Sequence, residues 1–402
     1  MTRYRWVILG AGTFAQSTFS ASSVGIAALA PALRSHYHLS LGQVGIALGA
    51  VFFGMMPTLL PWGLLTDRIG ERAVLAFGLG GAGLAMCAAS LTKSFVALIV
   101  LLVLFGALGS SVNAASGRAV MGWFAAGQRG LALGIRQAAV PVGAATAAAT
   151  LPWLAANGDP APAFLALGIA SLTGAAVGAV FMREAPSHPE RSGAADLGRP
   201  LADRRMWLLA GGSSFFVVAQ IALTSYAVLF LHQHRGLSIH AAALALAAMN
   251  VLGIGARIAA GRWSDRVRSR VGPLRVIGLL IAASTTSVGL LVDAPLAILV
   301  PALVVAGVLS LSWNGVAFTA AAETVGPARS GAALGFQQTV LGVFITIAAP
   351  VFAALVSATS WRVAFLAAAA LPVLGVVALR RLPASTGGAR SPGTSAIPPV
   401  VP

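Results

Sequence analysis

Apolar runs of roughly 20 residues recur from one end of the chain to the other, each continuous rather than alternating and each closed by a charged turn or by glycine and proline. At 1.5 Å per residue a helical run of that length matches the hydrocarbon thickness of a bilayer, so each predicts a membrane-spanning helix. The predicted spans fall at about 6–30, 41–65, 72–91, 95–121, 129–154 and 162–182, then at about 206–231, 240–262, 273–292, 295–321, 330–356 and 362–380. An even number of spans puts both termini on one side of the membrane. Spanning strands would need segments of about ten residues that alternate polar with apolar, whereas these runs are rich in Leu, Ala and Gly, which suits packed helices.

Residues 183–205 form the longest internal polar stretch, with Pro186, Pro189, Gly193, Gly198 and Pro200 among mixed charges. The stretch reads as a cytoplasmic linker between an N-terminal six-helix bundle, 1–182, and a C-terminal one, 206–381. Residues 382–402, rich in Pro, Gly, Ser and Thr, read as a disordered cytoplasmic tail. The two halves also align without gaps. Residues 39–72 match 237–270, pairing Ser40 with Ser238, Gly63 with Gly261, Asp67 with Asp265 and Arg72 with Arg270. Residues 113–137 match 314–338, pairing Asn113 with Asn314, Gly130 with Gly331, Leu133 and Gly134 with Leu334 and Gly335, and Gln137 with Gln338. The fold class is therefore an all-α membrane protein of twelve transmembrane helices in two pseudo-symmetric bundles, repeated in parallel, an architecture used by secondary transporters.

With 58% hydrophobic and 9% charged residues the chain is too apolar for a soluble domain. Its net charge of +16 would suggest nucleic acid in a soluble protein, but position gives another reason. With the N-terminus inside, Arg34, Lys93, Arg235 and Arg362 are outer and Arg118, Arg136 and Arg257 lie within span ends; the rest of the 26 basic residues, among them Arg3, Arg5, Arg129, Arg183, Arg204, Arg205 and Arg381, are inner. That is the positive-inside pattern of a membrane protein with both termini cytoplasmic. It predicts a lipid bilayer as partner and no nucleic acid. The single cysteine, Cys87, sits in an apolar run, which gives neither a disulfide framework nor a metal cluster, and no cofactor is expected.

The most distinctive segment is 63–72, which reads as a short charged turn between the second and third spans, with a weaker copy at 261–270. Gly63, Leu65, Asp67, Arg68, Gly70 and Arg72 fit a Gly-x-Leu-x-Asp-Arg-x-Gly-x-Arg pattern. In this the chain resembles the major facilitator superfamily, and the resemblance covers nearly all of it. It implies that Gly63, Asp67, Arg68, Gly70 and Arg72, with Asp265 and Arg266 in the second half, form a conformational latch. Asp67 would face the start of the eleventh helix near Ser330, and Asp265 the start of the fifth near Gly130, where free N–H groups favour a carboxylate. Solvated turn charges obeying the positive-inside rule are the alternative.

Candidate substrate ligands are the polar residues inside spans. Arg118, Arg136 and Arg257 head the set, although each lies close enough to a helix end to snorkel to the headgroups. Gln137 follows Arg136, and the second-half counterparts of the two are Gln337 and Gln338. Asn113 and Arg118 are five residues apart, about 500° around a helix, so they cannot line one wall. Asn113 and its mirror Asn314, with Gln16 and Gln220 near mid-span, are the preferred cavity residues, an interhelical hydrogen-bonding role being the alternative. Phe19, Tyr226 and Trp313 could add aromatic walls, but packing is the commoner role. Arg257 is placed like the helix-eight arginine of nitrate/nitrite and oxalate porters, while Leu59 stands where nitrate porters carry a helix-two partner. The segments 113–118 and 130–137 are similar to bacterial members grouped with nitrate and cyanate porters.

All ten carboxylates sit in loops or at helix ends, and so do all six histidines. A proton relay through a mid-span carboxylate is therefore not expected, nor is a cation-binding drug site. The expected function is secondary active transport of a small organic or inorganic anion by alternating access, in a monomer, with a coupling proton or counter-substrate as further partner. A multidrug or metabolite exporter with a mainly apolar cavity is the alternative. A membrane-embedded enzyme lacks a catalytic cluster, and a fixed channel fits poorly with two repeats and a latch.

Overall fold

The computed structural model describes residues 3–183, 185 and 202–383. It contains α1 (Tyr4–Gly25), α2 (Leu41–Ile69), α3 (Glu71–Ala89), α4 (Phe95–Trp123), α5 (Arg129–Leu154) and α6 (Ala161–Phe181) in the first half. The second half holds α7 (Arg204–Ser225), α8 (Ile239–Arg266), α9 (Val271–Leu290), α10 (Leu296–Val325), α11 (Ser330–Ala358) and α12 (Trp361–Leu379). Among the described residues eleven helices are long and apolar enough to cross a membrane, and α1 is the twelfth long helix. Its lower hydropathy has a structural cause: Gln16, Thr18, Ser20, Ser22 and Ser23 are buried inside the protein instead of facing lipid. A 3₁₀ turn, Ile26–Leu29, then leads into a short helix, Ala30–His36, with Pro31 in its first turn, so the first helical run extends past residue 30.

Helix starts follow local chemistry. Ser40 caps α2 in a reciprocal box with Gln43, and its repeat partner Ser238 caps α8 by accepting the N–H of Ala241. The segment 63–72 is not a loop, contrary to the reading as a charged turn. Helix α2 continues through Thr66, Asp67 and Arg68, and the chain reverses at Gly70 alone, whose φ of 87° is open to glycine and costly for other residues. Continuing the helix is possible because its polar groups find partners in the fold, as described below. The linker 183–205 lies mostly outside the described residues, and α7 already begins at Arg204, within it. The tail 382–402 lies outside them except for Leu382 and Pro383.

The packing repeats as the sequence does. In the first half α1 packs on α5 and α6, α2 on α4, and α3 on α6; in the second, α7 packs on α11 and α12, α8 on α10, and α9 on α12. Between halves, α2 meets α11 and α5 meets α8, with α4–α11 and α5–α10 beside them. These contacts need glycine. A Cβ on Gly331 would lie 2.6 Å from Asp67 Oδ1 and 2.7 Å from Gly63 O, and one on Gly315 would lie 2.9 Å from Gly134 Cα. At the opposite end of α2, Gly45 and Gly49 have nothing within 4 Å. The named close approaches between halves thus cluster toward the end where Asp67 and Asp265 sit.

Candidate functional site

Arg136 stands on α5 about one turn before Pro141 and is 1% exposed. Its Nε donates to Ser116 Oγ at 3.0 Å, and its Nη2 to Gln16 Oε1 at 2.8 Å and to the Asn113 carbonyl at 2.7 Å. Nη1 donates to Gln137 Oε1. The guanidinium is thus held inside the bundle by α1, α4 and α5 and does not snorkel to a headgroup. Arg257 on α8, 5% exposed, donates from Nε to Leu311 O at 2.9 Å and from Nη1 to Gln137 O at 2.7 Å. The second of these bonds crosses between the halves. Among the described residues neither arginine has a carboxylate partner, so two buried cations are met only by amide, hydroxyl and carbonyl oxygens.

Arg118 goes elsewhere. Its Nη1 meets Glu71 Oε1 at 2.7 Å and its Nε lies 2.9 Å from Asp67 Oδ1, which separates it from Asn113. Asn113 offers Arg136 its carbonyl, while its own amide turns back to Ser110 O at 3.3 Å. In the second half Gln220 Oε1 accepts from Trp313 Nε1 at 3.1 Å and from Asn314 Nδ2 at 3.5 Å. Gln337, at the position paired with Arg136, is buried and donates to Ser213 Oγ at 2.6 Å; Gln338 is half-buried. These second-half side chains form a neutral group with no hydrogen bond to either arginine. The positive charge therefore gathers around Gln137. Of the aromatic candidates, Phe19 stacks on Phe105, Trp313 is fully buried, and Tyr226 donates to Ala349 O.

A second constellation joins the halves at the ends of α2 and α8. Asp67 accepts the N–H groups of Gly331 and Ala332 at 3.0 and 2.8 Å, and Asp265 those of Gly130 and Leu131 at 3.0 and 2.8 Å. Each carboxylate thus satisfies two free donors at the first turn of a helix from the other half. Supporting charges differ between the halves. Asp67 is flanked by Arg118 from α4, whereas Asp265 is flanked by Arg270, 2.6 Å away, which also reaches Glu323 Oε2 on α10 at 3.0 Å and Ala126 O across the interface at 2.5 Å. Burial alone would lower the Arg270 pKa, but the Glu323 and Asp265 carboxylates outweigh it and hold the group above its ordinary value. Arg68, Arg72 and Arg266 are exposed and take no part in these bonds. The repeat pairs Arg72 with Arg270, yet only Arg270 is buried.

Sequence reasoning did not single out Ser116, Ser213, Glu71, Arg270 and Glu323 as members of these groups. Arg270 and Glu323 carried a signal, being charges at the ends of spans. Among the described residues no group of three or more His, Cys, Asp or Glu could hold a metal ion.

Among the described residues, twelve long helices in two similarly packed halves, joined by two symmetric carboxylate-to-helix contacts, define a secondary-transporter fold. A family profile described as the Major Facilitator Superfamily matches residues 12–349. The chain is 32% identical over 364 residues to an uncharacterized MFS-type transporter of Mycobacterium tuberculosis, covering 89% of this chain and 81% of that one. It is 25% identical over 384 residues to a probable sulfoacetate transporter of Cupriavidus necator, covering 89% of each. Its fold matches that of the proton:xylose symporter XylE with a TM-score of 0.76 at 16% identity, covering 94% of this chain and 96% of that one. The human organic anion transporter MFSD10 matches with a TM-score of 0.75 at 15% identity, covering 93% and 99%. The chain belongs to the major facilitator superfamily of membrane transporters.

Proposed function

We propose that this protein carries a small organic anion across the bacterial inner membrane by alternating access, as a monomer with both termini in the cytoplasm. The observation that carries the reading is the pair Arg136 and Arg257, both buried and both with neutral partners only among the described residues. A buried charge without a counter-ion is costly, and an anionic substrate supplies the missing charge. The relative described as a probable sulfoacetate transporter supports the same class. Gln16, Gln137 and Asn113 would hold the arginine frame, and Gln220, Asn314, Gln337 and Gln338 would present a neutral wall from the other half.

Asp67 and Asp265, with Gly63 and Gly70 allowing the close approach and the turn, act as the latch that keeps the cytoplasmic side closed. Arg68, Arg72 and Arg266 stay at the aqueous or headgroup surface, where they obey the positive-inside rule. The protein as described is then in a state closed to the cytoplasm.

Uptake by the purified full-length chain in liposomes tests the assignment, run over sulfoacetate, small mono- and dicarboxylates, nitrate, cyanate and cationic drugs, with and without a pH gradient. Saturable uptake of an organic anion is the expected outcome. Uptake of a cation and of no anion would replace the reading with an exporter of cationic compounds.

A further inference from the structure

Helical bonding in α10 lapses at Ser312 and Trp313, near the middle of the span, and α4 lapses at the corresponding depth at Ser110. Broken spans persist only where the backbone is buried in protein or lines a cavity. At the break in α10 the Leu311 carbonyl takes Nε of Arg257 at 2.9 Å. Two residues on, Trp313 Nε1 donates to Gln220 Oε1 on α7 at 3.1 Å, and Asn314 Nδ2 donates to the same oxygen at 3.5 Å. An indole nitrogen can only donate, so this contact decides which end of the Gln220 amide is oxygen. Gln220 Nε2 then points away with two protons and Asn314 keeps Oδ1, and neither atom has a hydrogen-bond partner among the described residues. Both residues are half-buried, and both atoms stay open to accessible space, as does Nη2 of Arg257. The corresponding first-half amides are engaged: Gln16 holds Arg136 and reaches Ser20, and the Asn113 amide turns back to Ser110 O.

The free pair lies beside the charges. A Cβ on Gly315 would come within 2.9 Å of Gly134 Cα, and one on Gly134 within 2.8 Å of Arg257 O. The α10 break, α8 at Arg257 and the turn of α5 that leads to Arg136 thus meet at one crossing.

We propose that Gln220 and Asn314 form a second recognition point, which takes a hydroxyl group on the transported anion. The hydroxyl oxygen accepts from Gln220 Nε2 while its O–H donates to Asn314 Oδ1, and the acid group faces Arg257 and Arg136. A second acid group offers acceptors only and sets oxygen against Asn314 Oδ1, and an alkyl end leaves both amide atoms unmet. The substrate class is therefore a hydroxylated organic acid, its anionic end met at the boundary of the halves and its neutral end in the second half. The inference rests on the anion reading above and adds what the anion carries.

Competition for uptake into liposomes holding the full-length protein tests it, with the panel anion taken up fastest as the radiolabelled probe. Isethionate competes against ethanesulfonate, lactate against propionate and 3-hydroxybutyrate against butyrate, so that the hydroxyl stands at different distances from the acid group. In at least one pair the hydroxylated member should compete at a concentration about 10- to 100-fold lower. Equal competition in every pair, or preference for the plain member, would overturn the hydroxyl inference and leave the anion reading standing. No uptake of any anion would overturn both. In Gln220→Leu and Asn314→Leu the ratio within the preferred pair should fall toward one. A purely structural role would weaken both members alike and keep the ratio, which counts against the inference. If Gln220→Leu fails to fold because Trp313 loses its acceptor, Asn314→Leu, which leaves that bond in place, and the wild-type ratios still decide.

Discussion

Gln137 accepts Nη1 of Arg257 on its main-chain carbonyl, 2.7 Å away across the boundary between the two halves, while its side-chain oxygen accepts Nη1 of Arg136. One residue therefore connects both buried cations and both halves. The carbonyl is available because Pro141 follows four residues later on α5 and has no N–H to take it. A proline that would weaken an ordinary helix here frees an acceptor for the opposite half. The contact to the buried Arg136 and the interface packing thus share one turn of α5.

Replacing Arg136 tests the cation itself. Arg136→Gln should raise the KM for the transported anion about 10- to 100-fold, the equivalent of about 1.5–3 kcal/mol for a hydrogen bond to a charged group. Arg136→Lys keeps the charge but cannot reach Ser116, Gln16 and the Asn113 carbonyl together, so it should rescue only part of the loss. Uptake kinetics in liposomes measure both. An unchanged KM in Arg136→Gln and in Arg257→Gln would assign the two residues to structure alone.

Neutralising the latch should open the cytoplasmic side that it holds closed. In Asp67→Asn or Asp265→Asn one of the two helix-terminal N–H acceptors is lost together with the charge, and Arg118 or Arg270 loses part of its pairing. Charge-assisted bonds of this kind are worth about 1.5–3 kcal/mol, enough to raise the population open at that end about tenfold or more. The reporter is an Ala138→Cys side chain beside Gln137, in a Cys87→Ser background, labelled by an impermeant maleimide from the cytoplasmic face. Labelling that stays at the parent rate in both variants would show that the carboxylates do not control opening.

Much of this was legible in the sequence, for physical reasons that differ by element. Span lengths are dictated by the bilayer, so α5 begins and ends at residues 129 and 154, as hydropathy places it. The 500° separation between Asn113 and Arg118 likewise anticipates that they serve different sites. The family pattern set Asp67 opposite the start of the eleventh helix, but the charges of 63–72 read as a turn. That α2 continues as helix through Asp67 to Ile69 was not legible, because the partners of those charges lie in other elements. Nor could the sequence tell Arg72 from Arg270. The two are aligned, but the acid on α10 that buries Arg270, Glu323, has Gly122 at its counterpart position on α4. In the first half the pairing runs the other way, with Arg118 on α4 meeting the acids of α2 and α3.

The glycines of the crossing points should be intolerant, and position decides which. A Cβ on Gly130 would lie 2.5 Å from Gly261 O and 2.9 Å from both Arg270 Nη1 and Asp265 Oδ1. Gly130→Ala or Gly331→Ala should therefore force α5 from α8, or α2 from α11, and raise labelling at Ala138→Cys as the aspartate variants do. Gly45→Ala and Gly49→Ala meet nothing within 4 Å and should be neutral or slightly stabilising, by up to about 1 kcal/mol in a helix. Equal effects at crossing and open positions would remove close packing as the explanation.

Two ion-pair clusters at opposite ends of the second half should differ sharply in their value to stability. Arg270 is 4% exposed and meets Asp265, Glu323, Ser264 and Ala126 O at once. Arg270→Gln therefore removes the near cation of two largely buried carboxylates and leaves Asp265 its two N–H donors and Glu323 the more distant Arg129 at 3.9 Å. Breaking a buried pair in this way costs about 3–5 kcal/mol. Asp293 also has several partners, with Arg362 at 2.9 Å, His234 at 3.8 Å and Arg235 at 4.0 Å, but its side chain is 64% exposed. Screening by water and salt limits such contacts to about 0–1 kcal/mol, so Asp293→Asn should leave stability almost unchanged. Thermal unfolding of the detergent-solubilised protein at low and high salt separates the two, since only the outer cluster should weaken as salt is added. A large loss in Asp293→Asn with none in Arg270→Gln would mean that the outer end, and not the Asp265 end, holds the second half together.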